Sequence, residues 1–322
     1  MTEKIRLESE VPHTMSGWRL DQAAAELFGD YSRSRLQLWI KDGALTVDGE
    51  TRKTRDKLFG GESLVLLTEH EEQGDWLPEE MDLDVVYEDE HILVINKPTD
   101  LVVHPAAGNY TGTLLNGLLH YIPDLINIPR AGIVHRLDKD TTGLMVVAKT
   151  LIAHTDLVGQ LQERSVSRQY EAVVQGVMTG GGKVDAPIGR HPTQRKKMAV
   201  VSSGGKQAIT HYRVLGRFAT HTHVLLKLET GRTHQIRVHM SHIQFPLVGD
   251  VTYGGRFKIP KGASETLLEC LKAFPRQALH AASLGLIHPH TGDYMEWERE
   301  RPADMQNLLD NLAGDMPGAK AR

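Results

Sequence analysis

Between Glu69 and Glu90 the chain carries 11 acidic residues and no lysine or arginine, and the first half of this stretch, Glu69–Glu80, is further interrupted by Gly74 and Pro78. A segment so dense in like charge has little to bury, which predicts a linker between two folded units with a boundary near Asp75. A length of 322 residues agrees with two unequal domains. The expected division is a small domain over 1–75, a large one over 76–312 and a loose tail over 313–322.

The same stretch distorts the charge balance. The chain holds 37 Lys and Arg against 41 Asp and Glu, a formal net charge of -4, which taken alone disfavours a polyanionic partner. Outside Glu69–Glu90, however, 37 basic residues face only 30 acidic ones, and Lys183–Lys258 holds 13 basic residues against Asp185, Glu229 and Asp250. A nucleic acid is therefore an admissible partner there, with a solvated charged face as the plain alternative. The single cysteine, Cys270, forbids an intrachain disulfide and a multi-cysteine zinc site. The start of the chain is polar, and runs such as Ile92–Ile95 and Leu144–Ala148 fall far short of the ~20 apolar residues of a membrane helix. A cytoplasmic protein with no membrane association is expected.

In the small domain, Asp21-Gln-Ala-Ala-Ala-Glu-Leu-Phe and Tyr31–Ile40 carry apolar residues at helical spacing, with Ser32 as an N-cap. Ala44–Val47, a turn at Asp48-Gly49 and Ser63–Leu67 read as short strands, making this domain αα followed by β. In the large domain, His91–Asn96, Leu144–Ala148, Tyr170–Gln175, His223–Leu228, Ala278–Leu286 and Tyr294–Trp297 read as strands and Ala153–Glu163 as a helix. They follow no regular βαβ rhythm. The prediction is an α+β fold on a mixed, largely antiparallel sheet with flanking helices.

Two polar clusters stand out. In His135-Arg-Leu-Asp-Lys-Asp-Thr-Thr-Gly-Leu, Asp138 falls in a loop ahead of an apolar strand, a position from which a carboxylate acts as nucleophile or base. Its alternative is a turn cap. In Glu229-Thr-Gly-Arg-Thr-His-Gln-Ile-Arg-Val-His-Met, a helical reading puts Arg232, Ile236 and His239 on one face and Arg237 elsewhere. Arg232 would pair with a catalytic carboxylate or a phosphate, or form a structural ion pair.

The string at His135, with Asn96-Lys-Pro before it and Gly231-Arg-Thr-His-Gln-Ile-Arg after it, resembles the signature stretches of the RluA-type pseudouridine synthases. The likeness runs from about Leu83 to Trp297, and the region around Arg19–Leu67 is similar to an S4-type RNA-binding module. The resemblance implies that Asp138 is the essential aspartate, Arg136 the arginine that fills the space of a flipped base, and Tyr170 the side chain that stacks on the target. It further implies that Arg232 is the basic partner of the aspartate and Ile236 an apolar wall of the site, with Lys97 and Pro98 mainly structural. Thr142 stands where many relatives have serine. Leu101-Val-Val-His-Pro, Pro129-Arg-Ala-Gly-Ile-Val-His-Arg-Leu-Asp and Pro246-Leu-Val-Gly-Asp extend the likeness to members acting on large-subunit ribosomal RNA, so a pre-ribosomal particle is the implied partner and a monomer the expected state. In the S4-like part, Arg33, Arg35, Lys41, Arg52 and Lys53 are candidates for phosphate contacts. Residues 17–67 nevertheless hold 8 basic and 8 acidic side chains, so an RNA face there requires segregation in space.

The implied reaction breaks a C–N glycosidic bond, turns the base and forms a C–C bond, with no net redox change, so no cofactor is expected. Phosphate-loop, dinucleotide and nucleophile-elbow fingerprints are absent. The histidines His221, His223, His234, His239, His242, His288 and His290 lack ligand spacing for a metal. Two other readings remain open at this level. A glycosylase would also attack an anomeric carbon but normally wants a second carboxylate, and a ribosome-assembly factor would bind RNA without chemistry.

Overall fold

The computed structural model describes residues 4–29, 33–69, 76–105, 109–194 and 197–316, without the side chains of 4, 5, 33–35, 68 and 69. The chain divides into two compact units, residues 1–75 and 76–322.

In the first unit, β1 (Lys4–Glu10), α1 (Leu20–Leu27), α2 (Arg33–Lys41), β2 (Leu45–Val47) and β3 (Ser63–Glu69) form a three-stranded antiparallel sheet in the order β1-β3-β2, covered by two helices. Leu20, Ala23, Ala24, Leu36 and Ile40 from the helices meet Leu45, Val47, Leu64 and Leu66 from the strands in one buried cluster. The unit therefore opens with a strand that the αα-then-β expectation lacked. Lys4–Glu10 alternates polar and apolar residues, but only Ile5 and Leu7 carry the apolar side of the pattern, too weak a signal against the charged background. Asp48 and Gly49 both take positive φ, 52° and 81°, which makes the turn, but the turn closes on Glu50 and β3 begins only at Ser63. The expected N-cap Ser32 lies outside the described residues.

The second unit contains β4 (Val85–Glu88), β5 (Ile92–Lys97), α3 (Leu114–Tyr121), β6 (Thr142–Ala148), α4 (Leu151–Glu163), β7 (Ser167–Gln175), β8 (Gly182–Asp185), β9 (Ile188–Arg190), β10 (Met198–Val200), β11 (Ile209–Arg217), β12 (His221–Leu228), α5 (Gln235–His242), α6 (Glu265–Ala273), β13 (Leu279–Ile287), β14 (Tyr294–Glu298) and α7 (Ala303–Gly314). The main sheet runs β4-β5-β6-β13-β7-β12-β11-β8, with β14 also on β13. It is mixed and largely antiparallel, the exception being the short parallel pairing of β13 with β6 at His280 and Ala281. There β6 and β13 approach so closely that a Cβ on Gly143 would lie 2.3 Å from the Ala281 carbonyl oxygen, at a φ of 114° that also favours glycine. One face of the sheet is buried with α3 and Ile236 of α5, in a cluster that includes Leu93, Ile95, Met145, Tyr170, Ala172 and Leu226. The other face packs Val94, Leu144, Val146 and Leu284 against Ala153 and Leu157 of α4.

The division at residue 75 agrees with the expected one, but the linker is shorter and the tail starts later than expected. Trp76, Met81 and Leu83 pack against the large core, Leu77 accepts a hydrogen bond from Asn116 Nδ2, and Glu79 accepts one from the Gly112 N–H. The second half of the acidic stretch is thus part of the large unit, because its sparse apolar residues find a surface there. At the other end α7 continues through Gly314, so 313 and 314 are helical rather than tail, while 317–322 lie outside the described residues.

Candidate active site

Asp138 sits in the loop that enters β6, next to the parallel β6–β13 contact, and the loop is tightly held. Thr141 N–H donates to the Asp138 carbonyl at 3.0 Å, closing a turn. Lys97, fully buried at the end of β5, donates from Nζ to the carbonyls of Pro98, Leu101 and Lys139 at 2.7, 2.9 and 2.8 Å. Burial pulls the Lys97 pKa down to about 7, with Asp140 and Asp138 pulling back, but three acceptors match the three protons of an ammonium. Arg276 clamps Asp304 of α7 with two hydrogen bonds and reaches the Asp140 carbonyl at 3.3 Å.

The partner of Asp138 is Arg237. Its Nη1 donates to Asp138 Oδ2 at 3.0 Å, while Nε and Nη2 bind Asp250 Oδ2 and Oδ1 at 2.7 and 2.9 Å. Asp250 is itself oriented by the N–H groups of Thr252 and Tyr253. Burial works against the Arg237 charge, but the two carboxylates, Asp250 foremost, more than offset it and raise its pKa. The Asp250 side chain is fully buried and that of Asp138 is 16% exposed. One end of this carboxylate–guanidinium–carboxylate chain is therefore sealed and the other open.

His234 Nε2 lies 3.9 Å from the other Asp138 oxygen, and its Nδ1 is 2.7 Å from the Tyr253 hydroxyl. That hydroxyl also accepts the Met198 N–H, so Tyr253 ties His234 to the start of β10. Burial is the largest influence on His234 and lowers its pKa, with Asp138 pulling the other way. His234 holds this position at a φ of 55°, left-handed for a non-glycine residue. The Arg237 guanidinium also lies 5.1 Å from the Tyr253 ring centroid.

Tyr170 projects from the middle of β7, opposite Ala281 on one side and Leu226 on the other. It is buried in the same apolar cluster as Ile236, and burial raises its phenol pKa, with Asp138 adding to the effect. Arg136 is exposed, and its charge bears on both His234 and His104. His104 is pulled to about 4 by burial and then by Arg130 and Arg136.

Arg232 does not reach Asp138. It lies in the turn before α5, where its Nε donates to the Gln207 carbonyl at 3.0 Å and its N–H binds Gln235 Oε1. The expected helix begins only at Gln235, so Arg232 and Ile236 do not share a helical face and the pairing assigned to Arg232 falls to Arg237. Sequence reading also missed Asp250, His234 and Tyr253, although the first two lie inside strings it singled out. In the small unit Lys41 ends α2 and is exposed, Lys53 is exposed, and Arg52 is 3.9 Å from Asp48. Arg33 and Arg35 begin α2, but their side chains lie outside the described residues. Among those residues no group of three or more His, Cys, Asp or Glu is placed to hold a metal, and no helix is long and apolar enough to cross a membrane.

Comparison with known proteins bears on this geometry. Residues 91–242, which span Lys97, Asp138, Tyr170 and Arg237, match the family model for RNA pseudouridylate synthase. Ribosomal large subunit pseudouridine synthase D of Pseudomonas aeruginosa is 64% identical over 315 residues, covering 98% of both chains. The chain belongs to the RNA pseudouridylate synthase family. The protein of the same description from Escherichia coli K12 is 55% identical over 316 residues, covering 98% of this chain and 97% of that one. Among solved structures, human RNA pseudouridylate synthase domain containing 4 is 28% identical with a TM-score of 0.54, covering 71% of this chain and 92% of its own. Human RNA pseudouridylate synthase domain containing 1 is also 28% identical, with a TM-score of 0.51 over 69% and 84%. Residues 4–75 lie outside the family match.

Proposed function

We propose that this pseudouridine synthase isomerises uridines of large-subunit ribosomal RNA, acting in the cytoplasm as a monomer on a pre-ribosomal particle. The observation that carries the chemistry is the Asp138 carboxylate, open on one side and anchored on the other by Arg237 at 3.0 Å, beside the buried face of Tyr170. Asp138 attacks the sugar as a nucleophile or removes a proton from it as a base. Arg136, exposed at the rim, fills the gap left by the extruded nucleotide, and Tyr170 with Ile236 provides the flat apolar surface for the base. Lys41, Arg52 and Lys53 of the small unit meet phosphates. The ribosomal target is supported by the description and near-complete coverage of the bacterial relatives.

The test is incubation of a large-subunit rRNA transcript with the protein and EDTA, followed by chemical labelling of pseudouridine. Wild type is expected to form pseudouridine and Asp138→Asn none, with RNA affinity changed less than about threefold. Release of free uracil would instead identify a glycosylase, and an unchanged transcript a binding factor.

A further inference from the structure

Arg168 is a buried guanidinium without a counter-ion. It is 6% exposed, its side chain makes no hydrogen bond or ion pair among the described residues, and its Nε is fully buried without a partner. Every other strongly buried arginine of the unit is satisfied: Arg237 holds Asp138 and Asp250, and Arg276 holds Asp304 and three carbonyls. Burying an unpaired charge is costly, and a fold that retains one leaves its hydrogen-bonding capacity for something else.

The position of Arg168 says what that is. It precedes Tyr170 by two residues on β7, so both side chains leave the same face of the strand, about 7 Å apart along it. The burial of both follows that alternation. Its charge acts on Tyr170, and Tyr170 in turn senses Asp138, which ties the three into one neighbourhood. On the other side Gly231 makes room for it: a Cβ there would stand 2.8 Å from Arg168 Nη1. His135, three residues before Asp138, feels burial first and Arg168 second, and its pKa falls to about 3. Among the described residues no carboxylate forms an ion pair with Arg168, and burial lowers its pKa.

We infer that Arg168 is a further catalytic residue, whose guanidinium binds a carbonyl oxygen of the uracil stacked on Tyr170 and stabilises the negative charge the base acquires when it leaves the sugar. This rests on the proposed reaction at Asp138. Whether Asp138 adds to C1′ or takes a proton from C2′, the C1′–N1 bond breaks with its electron pair on uracil, delocalised from N1 onto O2 and O4. The rotated base then attacks C1′ through C5, its electron pair forming the new C–C bond while the C1′–Asp138 ester bond breaks or the proton held by Asp138 returns to C2′. The C5 proton then passes to the freed carboxylate or to water, and N1 takes up a proton from water. Arg168 donates hydrogen bonds throughout and transfers no proton. A guanidinium preorganised where charge develops needs no reorganisation during the reaction, which is the usual source of such an effect.

The experiment compares wild type, Arg168→Met and Arg168→Lys in single-turnover pseudouridine formation on the rRNA transcript, with RNA affinity, its salt dependence and melting temperature measured alongside. The expected result for Arg168→Met is a rate lower by about 100-fold, affinity within about threefold, and a melting temperature unchanged or higher, since an unpaired buried charge has been removed. Arg168→Lys, which restores a cation, should recover about tenfold of the rate. Three outcomes overturn the inference: an Arg168→Met rate within threefold of wild type, an affinity loss matching the rate loss with a shallower salt slope, as for a phosphate contact, or a fall in melting temperature that Arg168→Lys does not repair. A wild type that makes no pseudouridine would overturn the proposed reaction and this inference with it, whereas an active wild type matched by Arg168→Met overturns the inference alone.

Discussion

Asp138 and Arg237 are 99 positions apart in the chain and 3.0 Å apart in the fold. The contact forms because the turn after β12 delays the start of α5 to Gln235, which brings the second arginine of Gly231-Arg-Thr-His-Gln-Ile-Arg, rather than the first, to the aspartate. The remaining guanidinium edge is spent on Asp250, so Arg237 has a fixed orientation before any substrate arrives.

The two arginines of that motif are therefore separable by mutation. Arg237→Met should lower single-turnover pseudouridine formation by about 100-fold, the scale of losing a charged group that positions a reacting carboxylate. Arg232→Met removes a hydrogen bond to the Gln207 carbonyl at an exposed position and should cost less than about threefold. Equal losses in the two variants would return Arg232 to the site.

Asp250 touches nothing that reacts, yet it holds Arg237 from the sealed side. Asp250→Ala should destabilise the protein by about 3–5 kcal/mol, because it leaves the buried guanidinium with one carboxylate and orphans the N–H groups of Thr252 and Tyr253. Chemical denaturation measures this, and a loss below about 1 kcal/mol would show that Arg237 finds another partner.

Lys97 ties three carbonyls to one ammonium beneath the Asp138 loop. Lys97→Met keeps the bulk and removes the donors, so about 1–3 kcal/mol of stability should be lost for the acceptors left unsatisfied. Activity should fall together with it, since the Lys139 carbonyl anchors the residue next to Asp138. Hydrogen exchange of the 138–141 amides, faster in the variant, checks that the loop has loosened.

Asp89 gives a pH-dependent signature away from the site. Burial pushes its pKa up, but hydrogen bonds from the Ile92 and His91 N–H groups, and from Tyr87 and His288, outweigh this and bring it to about 2. A carboxylate whose folded pKa lies below its unfolded value, about 3.9, stabilises the fold above that unfolded value and stops doing so as pH falls through the folded one. The stability difference between wild type and Asp89→Asn should be constant above about pH 5 and shrink between pH 4 and pH 2. A difference independent of pH over that window would show that Asp89 is not the group responsible.

Local signals made the strands β5, β6, β7, β12, β13 and β14, helix α4 and the loop position of Asp138 legible, because runs of apolar residues and turn-forming residues act over a few neighbours. Strand β1 was hidden by its charges, and β8 to β10 by their shortness. Trp76, Met81 and Leu83 were masked by the acidic residues around them, although three apolar contacts suffice to dock that segment.

The amino-acid sequence by itself determined the two-unit division, the mixed sheet and the family, through patterns and strings that are contiguous in the chain. Which arginine pairs with Asp138, that His234 and Tyr253 stand beside it, and that Arg168 is buried with no ion pair among the described residues were settled only by the tertiary fold. Those relations depend on where an element starts to within one turn and on which side chains meet across strands far apart in the chain, and no local pattern encodes the distance between two side chains brought together by different strands of a sheet.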